Sequence, residues 1–176
     1  VSVYGILMYV DGFVQPLLYG MCDSLQPAVG FNWGAESFSR VRAIERCCFT
    51  ASSVVSLASA ALIFLVPEFL TSLFVSDPAP GVLDMSVGAL RIFALTYITR
   101  WFSFATQSYM LAIEKPLAAS LISVSTALVF PLILIAALWP LGLTGIWLNF
   151  PGTSLLAGVM AFVILRRMRS ELVRVD

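Results

Sequence analysis

Five stretches of this chain are apolar over lengths that cross a bilayer as a helix, and no other feature restricts the possible folds as much. About 20 residues suffice for a helical crossing. The stretches cover residues 1–31, 47–66, 87–113, 117–139 and 144–165, and leave a tail at 166–176. Composition agrees: 60% of the residues are hydrophobic and 11% charged, with a mean hydropathy of +0.95, well outside the range of a soluble domain. Hydrocarbon offers backbone groups no water, so each segment must satisfy its own hydrogen bonds. The expected fold is therefore all-α, a polytopic transmembrane helical bundle of about five spans, with the lipid bilayer as its first partner. Turn formers punctuate the stretches at Asn32-Trp33-Gly34, Asp77-Pro78-Ala79-Pro80-Gly81, Glu114-Lys115-Pro116 and Pro140-Leu141-Gly142. Residues 67–74 read as a short amphipathic helix lying on the membrane surface.

Formal net charge is zero, but the charges are unevenly placed. If five spans alternate, Arg40, Arg42, Arg46, Lys115, Arg166, Arg167, Arg169 and Arg174 share one side, and Arg91 joins Glu68, Asp77 and Asp84 on the other. Cytoplasmic loops collect lysine and arginine, so the C-terminus is expected in the cytoplasm; the membrane expected is a plasma membrane, of the bacterial inner-membrane kind. The N-terminus then lies outside. Val1 begins within an apolar run without a signal peptide, so the chain is expected to continue a longer polypeptide with at least one span upstream.

Soluble chemistry has little to work with here. The three cysteines, Cys22, Cys47 and Cys48, lack metal-ligand spacing and histidine is absent, so no zinc or haem site is expected. The thiols read as small apolar side chains. There is no phosphate-binding loop, no HExxH and no GxSxG, and no enzyme activity or bound cofactor is expected. No basic footprint for nucleic acid is present.

Two polar stripes interrupt the apolar background. Asp11, Gln15, Tyr19, Cys22 and Gln26 follow helical spacing along the first stretch, and Thr96, Arg100, Ser103 and Gln107 do so along the third. A charge near the bilayer centre costs several kcal/mol unless it meets water or a partner. The stripes thus point to a hydrated path and a small-molecule substrate. Counted from the cytoplasmic ends, Arg100 lies at a depth between those of Asp11 and Asp23, so either aspartate can neutralise it, across a salt bridge or a shared aqueous cavity. The alternatives are an ion pair that only ties two helices, an Asp23 that serves local structure, and an Asp11 near the outer interface. Prolines at Gln15-Pro16, Gln26-Pro27, Phe130-Pro131 and Pro151-Gly152 are expected to break spans, as transporter helices do, with Pro131 a matter of packing alone. Ala51, Ser52, Ser56, Ser59 and Ala60 read as a close-packing face.

The run Gln26-Pro27-Ala28-Val29-Gly30-Phe31-Asn32-Trp33-Gly34-Ala35 followed by Arg40 resembles a signature of the multidrug and toxic compound extrusion (MATE) transporters. The segments Tyr109-Met110-Leu111-Ala112-Ile113-Glu114-Lys115-Pro116 and Gly142-Leu143-Thr144-Gly145-Ile146-Trp147 are similar to later turns of the same family. The resemblance covers nearly the whole chain. It implies that residues 1–176 are part of a carboxy-terminal six-helix lobe, with one upstream helix and the amino-terminal lobe elsewhere in the polypeptide. It implies export of organic, mainly cationic, compounds by antiport against sodium or protons, and a fragment that is inactive alone. It also implies that Asp11, Gln15, Tyr19 and Gln26 line one wall of a cavity, with Arg100, Ser103 and Gln107 opposite and Asp23 as a further candidate. Arg100 departs from a pocket built for cations. It implies either a tie to an aspartate, an anionic or zwitterionic ligand, or a coupling carboxylate in the other lobe. Two other readings stand beside the exporter: a lipid-linked oligosaccharide flippase, whose pyrophosphate suits an arginine, and a non-transporting membrane scaffold.

Overall fold

The computed structural model describes residues 3–74 and 80–172; Asp77, Arg174 and the Val1 end of the first stretch lie outside the described residues. Among the described residues all regular structure is helical: α1 (Val3–Asp23), α2 (Leu25–Gly34), α3 (Phe38–Leu65), α4 (Pro67–Phe74), α5 (Pro80–Ala94), α6 (Thr96–Ala112), α7 (Pro116–Val124), α8 (Phe130–Leu138) and α9 (Leu143–Leu172). A π-helical turn, Ser125–Val129, joins α7 to α8, and a 3₁₀ turn, Trp139–Leu141, leads from α8 towards α9.

Four helical runs are long and apolar enough to cross a membrane: Phe38–Leu65, Gly81–Ala112, Pro116–Leu141 and Leu143–Arg169. The remaining expected crossing, α1, is 21 residues long, and its polar stripe makes it less apolar than the other four. Side-chain contacts give the directions of these helices. Asp11 meets Tyr97 and Arg100 while Asp23 meets Ser108, so α1 and α6 run the same way. Ser154 on α9 bonds Thr96 and Thr99, and Leu165 joins the cluster of Tyr109 and Met110, so α9 is parallel to α6 as well. Ser56 on α3 bonds the carbonyl of Tyr97 while Glu45 lies near Tyr109, so α3 runs against them. Leu138 and Leu134 sit against Gly145 and Gly152, so α8 opposes α9. The four membrane-length runs and α1 thus alternate in direction along the chain. On the small face of α3, Ser52, Ser56 and Ala60 are buried against the core.

Several boundaries differ from the hydropathy reading. The basic segment 32–46, which hydropathy leaves between the first two apolar stretches, is mostly helix, because α3 begins at Phe38 and only Ala35 to Ser37 lie between helices. Arginine and glutamate favour helix, and long charged side chains can reach headgroups from a helix end. The third crossing likewise starts earlier, with α5 at Pro80. Helices continue through Pro16 and Pro151. The first stretch breaks at Ser24 instead, where Pro27 has no N–H to give to the Asp23 carbonyl. Pro131 has the same effect on Ala127, and the chain widens into the π turn, with the Phe130 N–H reaching Ser125.

Each of the three motifs that carry the family resemblance contains a turn between two helices. Glu36 (φ 56°) and Glu114 (φ 61°) are left-handed, and the bonds Ser37 N–H to Asn32 O and Lys115 N–H to Met110 O, each 2.8 Å, close the same exit motif. Gly142 (φ 58°) turns the chain between α8 and α9, and at Gly145 a Cβ would collide with the Leu138 carbonyl oxygen.

Candidate functional site

Asp11 and Arg100 form an ion pair with Nη1 2.6 Å from Oδ1, and their side chains are 14% and 16% exposed. The hydroxyl of fully buried Tyr97 donates to the same Oδ1 at 2.5 Å. Both donors come from α6, three residues apart, so a single turn of that helix presents them together to α1. The guanidinium also lies 5.7 Å from the ring centre of Tyr97 and 5.8 Å from that of Phe104, an arrangement attractive to a cation. Phe104 stacks on Tyr19 at 4.1 Å between ring centres, and Gln15 hydrogen-bonds the Tyr19 hydroxyl. Four of the expected residues, Asp11, Gln15, Tyr19 and Arg100, thereby form one connected cluster.

A second cluster lies further along the same two helices. Exposed Asp23 accepts from Ser108 at 2.5 Å and from Gln26 Nε2 at 2.9 Å. Arg100 therefore pairs with Asp11, while Asp23 is held by neutral donors. Of the other stripe positions, Ser103 is buried with its hydroxyl on the Arg100 carbonyl, and Gln107 lies half-buried one turn beyond it. Thr96 is buried with no partner for its hydroxyl among the described residues. Cys22 leaves the stripe and turns into the interface with α3, 3.4 Å from the Ser52 hydroxyl.

The two polar stripes do not face one another across a cavity, as the resemblance implies. They are in contact, since oppositely charged groups in a medium of low dielectric close on each other. The open volume lies beyond Arg100. A cavity of about 730 Å³ is lined by Arg100 and Ser103 of α6, Tyr4 of α1, Asn149 and Thr153 of α9 and Pro131 of α8, among others. Pro131 thus borders the cavity instead of serving packing alone, and the π turn places Thr126 on the same lining. No carboxylate is found among its described lining residues, so Arg100 is the charged group there.

Several of these residues carry little or no signal in the chain's spacing. Tyr97 sits three positions before Arg100, on the face that the stripe already marks, and was legible in principle. Asn149 and Thr153, four apart around Pro151-Gly152, form a short stripe of their own. Ser108 carries no signal. Buried Glu45, 4% exposed and paired with the mostly exposed Arg169, ties α3 to α9 and was hidden in the charged segment between two apolar stretches.

The MatE family model matches residues 1–136. Over 174 residues the chain is 20% identical to Multidrug export protein MepA of Staphylococcus aureus strain NCTC 8325 / PS 47, covering 98% of this chain and 38% of that protein. The same values hold for Multidrug export protein MepA of Staphylococcus aureus strain COL. The chain thus spans 38% of the length of the curated relatives it matches. With a helical multi-pass membrane bundle and a family match over most of its length, this chain belongs to the MatE family, the multidrug and toxic compound extrusion transporters.

Proposed function

We propose that the polypeptide containing this chain is a secondary active exporter of organic compounds, driven by inward sodium or proton flow. The single observation that carries this reading is the Asp11 carboxylate held by Arg100 and Tyr97 at the edge of a cavity large enough for a drug-sized molecule. A carboxylate in a poorly hydrated site favours one cationic partner at a time. A proton or sodium ion on Asp11 competes with the Arg100 guanidinium, and a released guanidinium turns to the cavity it already lines. Coupling follows if the cavity binds its ligand differently in the two positions of Arg100. Tyr19 and Phe104 offer aromatic surface beside the pair, and Asn149 and Thr153 offer neutral hydrogen bonds within the cavity. Asp23, with Gln26 and Ser108, is the second candidate cation ligand on the path. Because the relatives are much longer, export is assigned to the whole polypeptide, and the chain alone is proposed to be inactive. We place it in the bacterial inner membrane with the C-terminus in the cytoplasm, on the segregation of its arginines.

A second reading is a flippase for lipid-linked oligosaccharides. It is favoured by one feature, the presence of Arg100 and the lack of any carboxylate among the described residues lining the cavity, since a guanidinium suits a pyrophosphate. The test is dye efflux by the full-length protein in vesicles under separately imposed sodium and proton gradients. The exporter reading expects efflux under one of them and its loss in Asp11→Asn. Gradient-driven efflux unchanged in that variant removes Asp11 from the mechanism, and no efflux under either gradient together with translocation of a lipid-linked sugar replaces the exporter by the flippase.

A further inference from the structure

Cys22 on α1 and Cys48 on α3 converge on a single hydroxyl. Ser52 Oγ lies 3.4 Å from Cys22 Sγ and 3.8 Å from Cys48 Sγ, and the Cys48 thiol also donates to the Met21 carbonyl, next to Cys22, at 3.7 Å. The two thiols interact with each other as well. Their surroundings differ: Cys22 is fully buried, Cys48 is half-exposed, and Cys47 is exposed. Two thiols that serve only as small apolar filler have no reason to meet from different helices around one polar group.

We propose that Cys22 and Cys48 are a redox modification site, an oxidant-formed disulfide that staples α1 to α3 at the end of the bundle carrying Arg40, Arg42 and Arg46. With a peroxide as oxidant, Cys48 is attacked first because it is the accessible thiol. Its sulfur bonds to one peroxide oxygen, the O–O bond breaks, and one water leaves, giving a sulfenic acid. The Cys22 sulfur then attacks the Cys48 sulfur, the S–O bond breaks, and a second water leaves. Two thiols lose two hydrogens and one peroxide becomes two waters. A disulfide needs its Cβ atoms about 4 Å apart, and forming it takes both side chains off Ser52, the hydroxyl they now share. The staple would fix to α3 the helix whose other half bears Asp11, without touching the Asp11–Arg100 pair.

The experiment uses the full-length protein in native membranes with Cys47→Ser, an exposed position, so that the remaining thiols are read separately. Membranes are treated with hydrogen peroxide, the protein is unfolded in denaturant so that buried Cys22 is reachable, free thiols are blocked with a maleimide, and digested peptides are analysed by mass with and without dithiothreitol. The expected result is the joint loss of both maleimide adducts and a peptide pair linked through Cys22 and Cys48 that dithiothreitol separates. Undiminished labelling of both thiols, or oxidation of Cys48 with Cys22 still free, overturns the proposal. The readout is chemical, so it stands or falls independently of transport.

Discussion

Asp11 receives two donors on one oxygen, and the consequences of removing them are unequal. Deleting Arg100 alone leaves a carboxylate with little water, whereas neutralising both members of the pair leaves no stranded charge. Arg100→Gln in the full-length protein is expected to lose about 3 kcal/mol of stability, and the double variant Asp11→Asn with Arg100→Gln is expected to recover most of it. Chemical denaturation of the purified protein in detergent reads both. A pair that is idle would instead give additive losses. Glu36 and Glu114 present the opposite case, residues held in a left-handed conformation that costs a side-chain-bearing residue about 1 kcal/mol. Glu114→Gly at the α6 exit is accordingly expected to stabilise the protein by about 0.5–1 kcal/mol, seen as a higher unfolding midpoint. A lower midpoint would mean that the glutamate side chain contributes more than its backbone strain removes.

At the level of elements, α6 is the axis of the structure. It meets α1 through Asp11 and Asp23, α3 through the Ser56 bond to Tyr97, and α9 through the bonds of Ser154 to Thr96 and Thr99. These polar ties matter in lipid because helix association there has little hydrophobic drive and depends on close packing and interhelical hydrogen bonds. The α8–α9 corner shows how close packing decides tolerance. A Cβ at Gly145 meets the backbone of Leu138, which cannot move aside, while a Cβ at Gly158 lies 3.6 Å from the Thr99 Cβ, an ordinary contact. Gly145→Ala is expected to cost about 2 kcal/mol and Gly158→Ala less than about 0.5 kcal/mol. Comparing their melting temperatures in detergent checks the pair; equal losses would contradict the corner as described. The tie between Glu45 and Arg169 closes the far end of the bundle, where α3 and α9 carry most of the cationic residues.

For the molecule as a whole, the alternation of its crossings fixes which turns share a side of the membrane. In the full-length protein with its native cysteines replaced by serine, Lys115→Cys is expected to react with a membrane-impermeant maleimide only after cells are opened, and Ser72→Cys on α4 to react in intact cells. Labelling of both from outside would break the alternation. The class of the protein was legible without coordinates, because a crossing helix must be long and apolar whatever its neighbours, and a charge within it must find a partner. Hence the four membrane-length runs, the stripes of α1 and α6, and the aspartate and arginine within them could be read from spacing alone. Boundaries were less legible: hydropathy stops at Arg46, but the helix of α3 continues back to Phe38, since charge ends an apolar run without ending its backbone hydrogen bonding. Which aspartate Arg100 chooses, that Cys22 turns to α3, that Glu45 is buried, and that the cavity lies on the α8–α9 side depend on helix rotation and on the bends at Ser24 and Ser125–Val129. Sequence settled what each helix has to bury; only the packing of several helices at once, where a rotation of one moves the partners of the rest, settled against what.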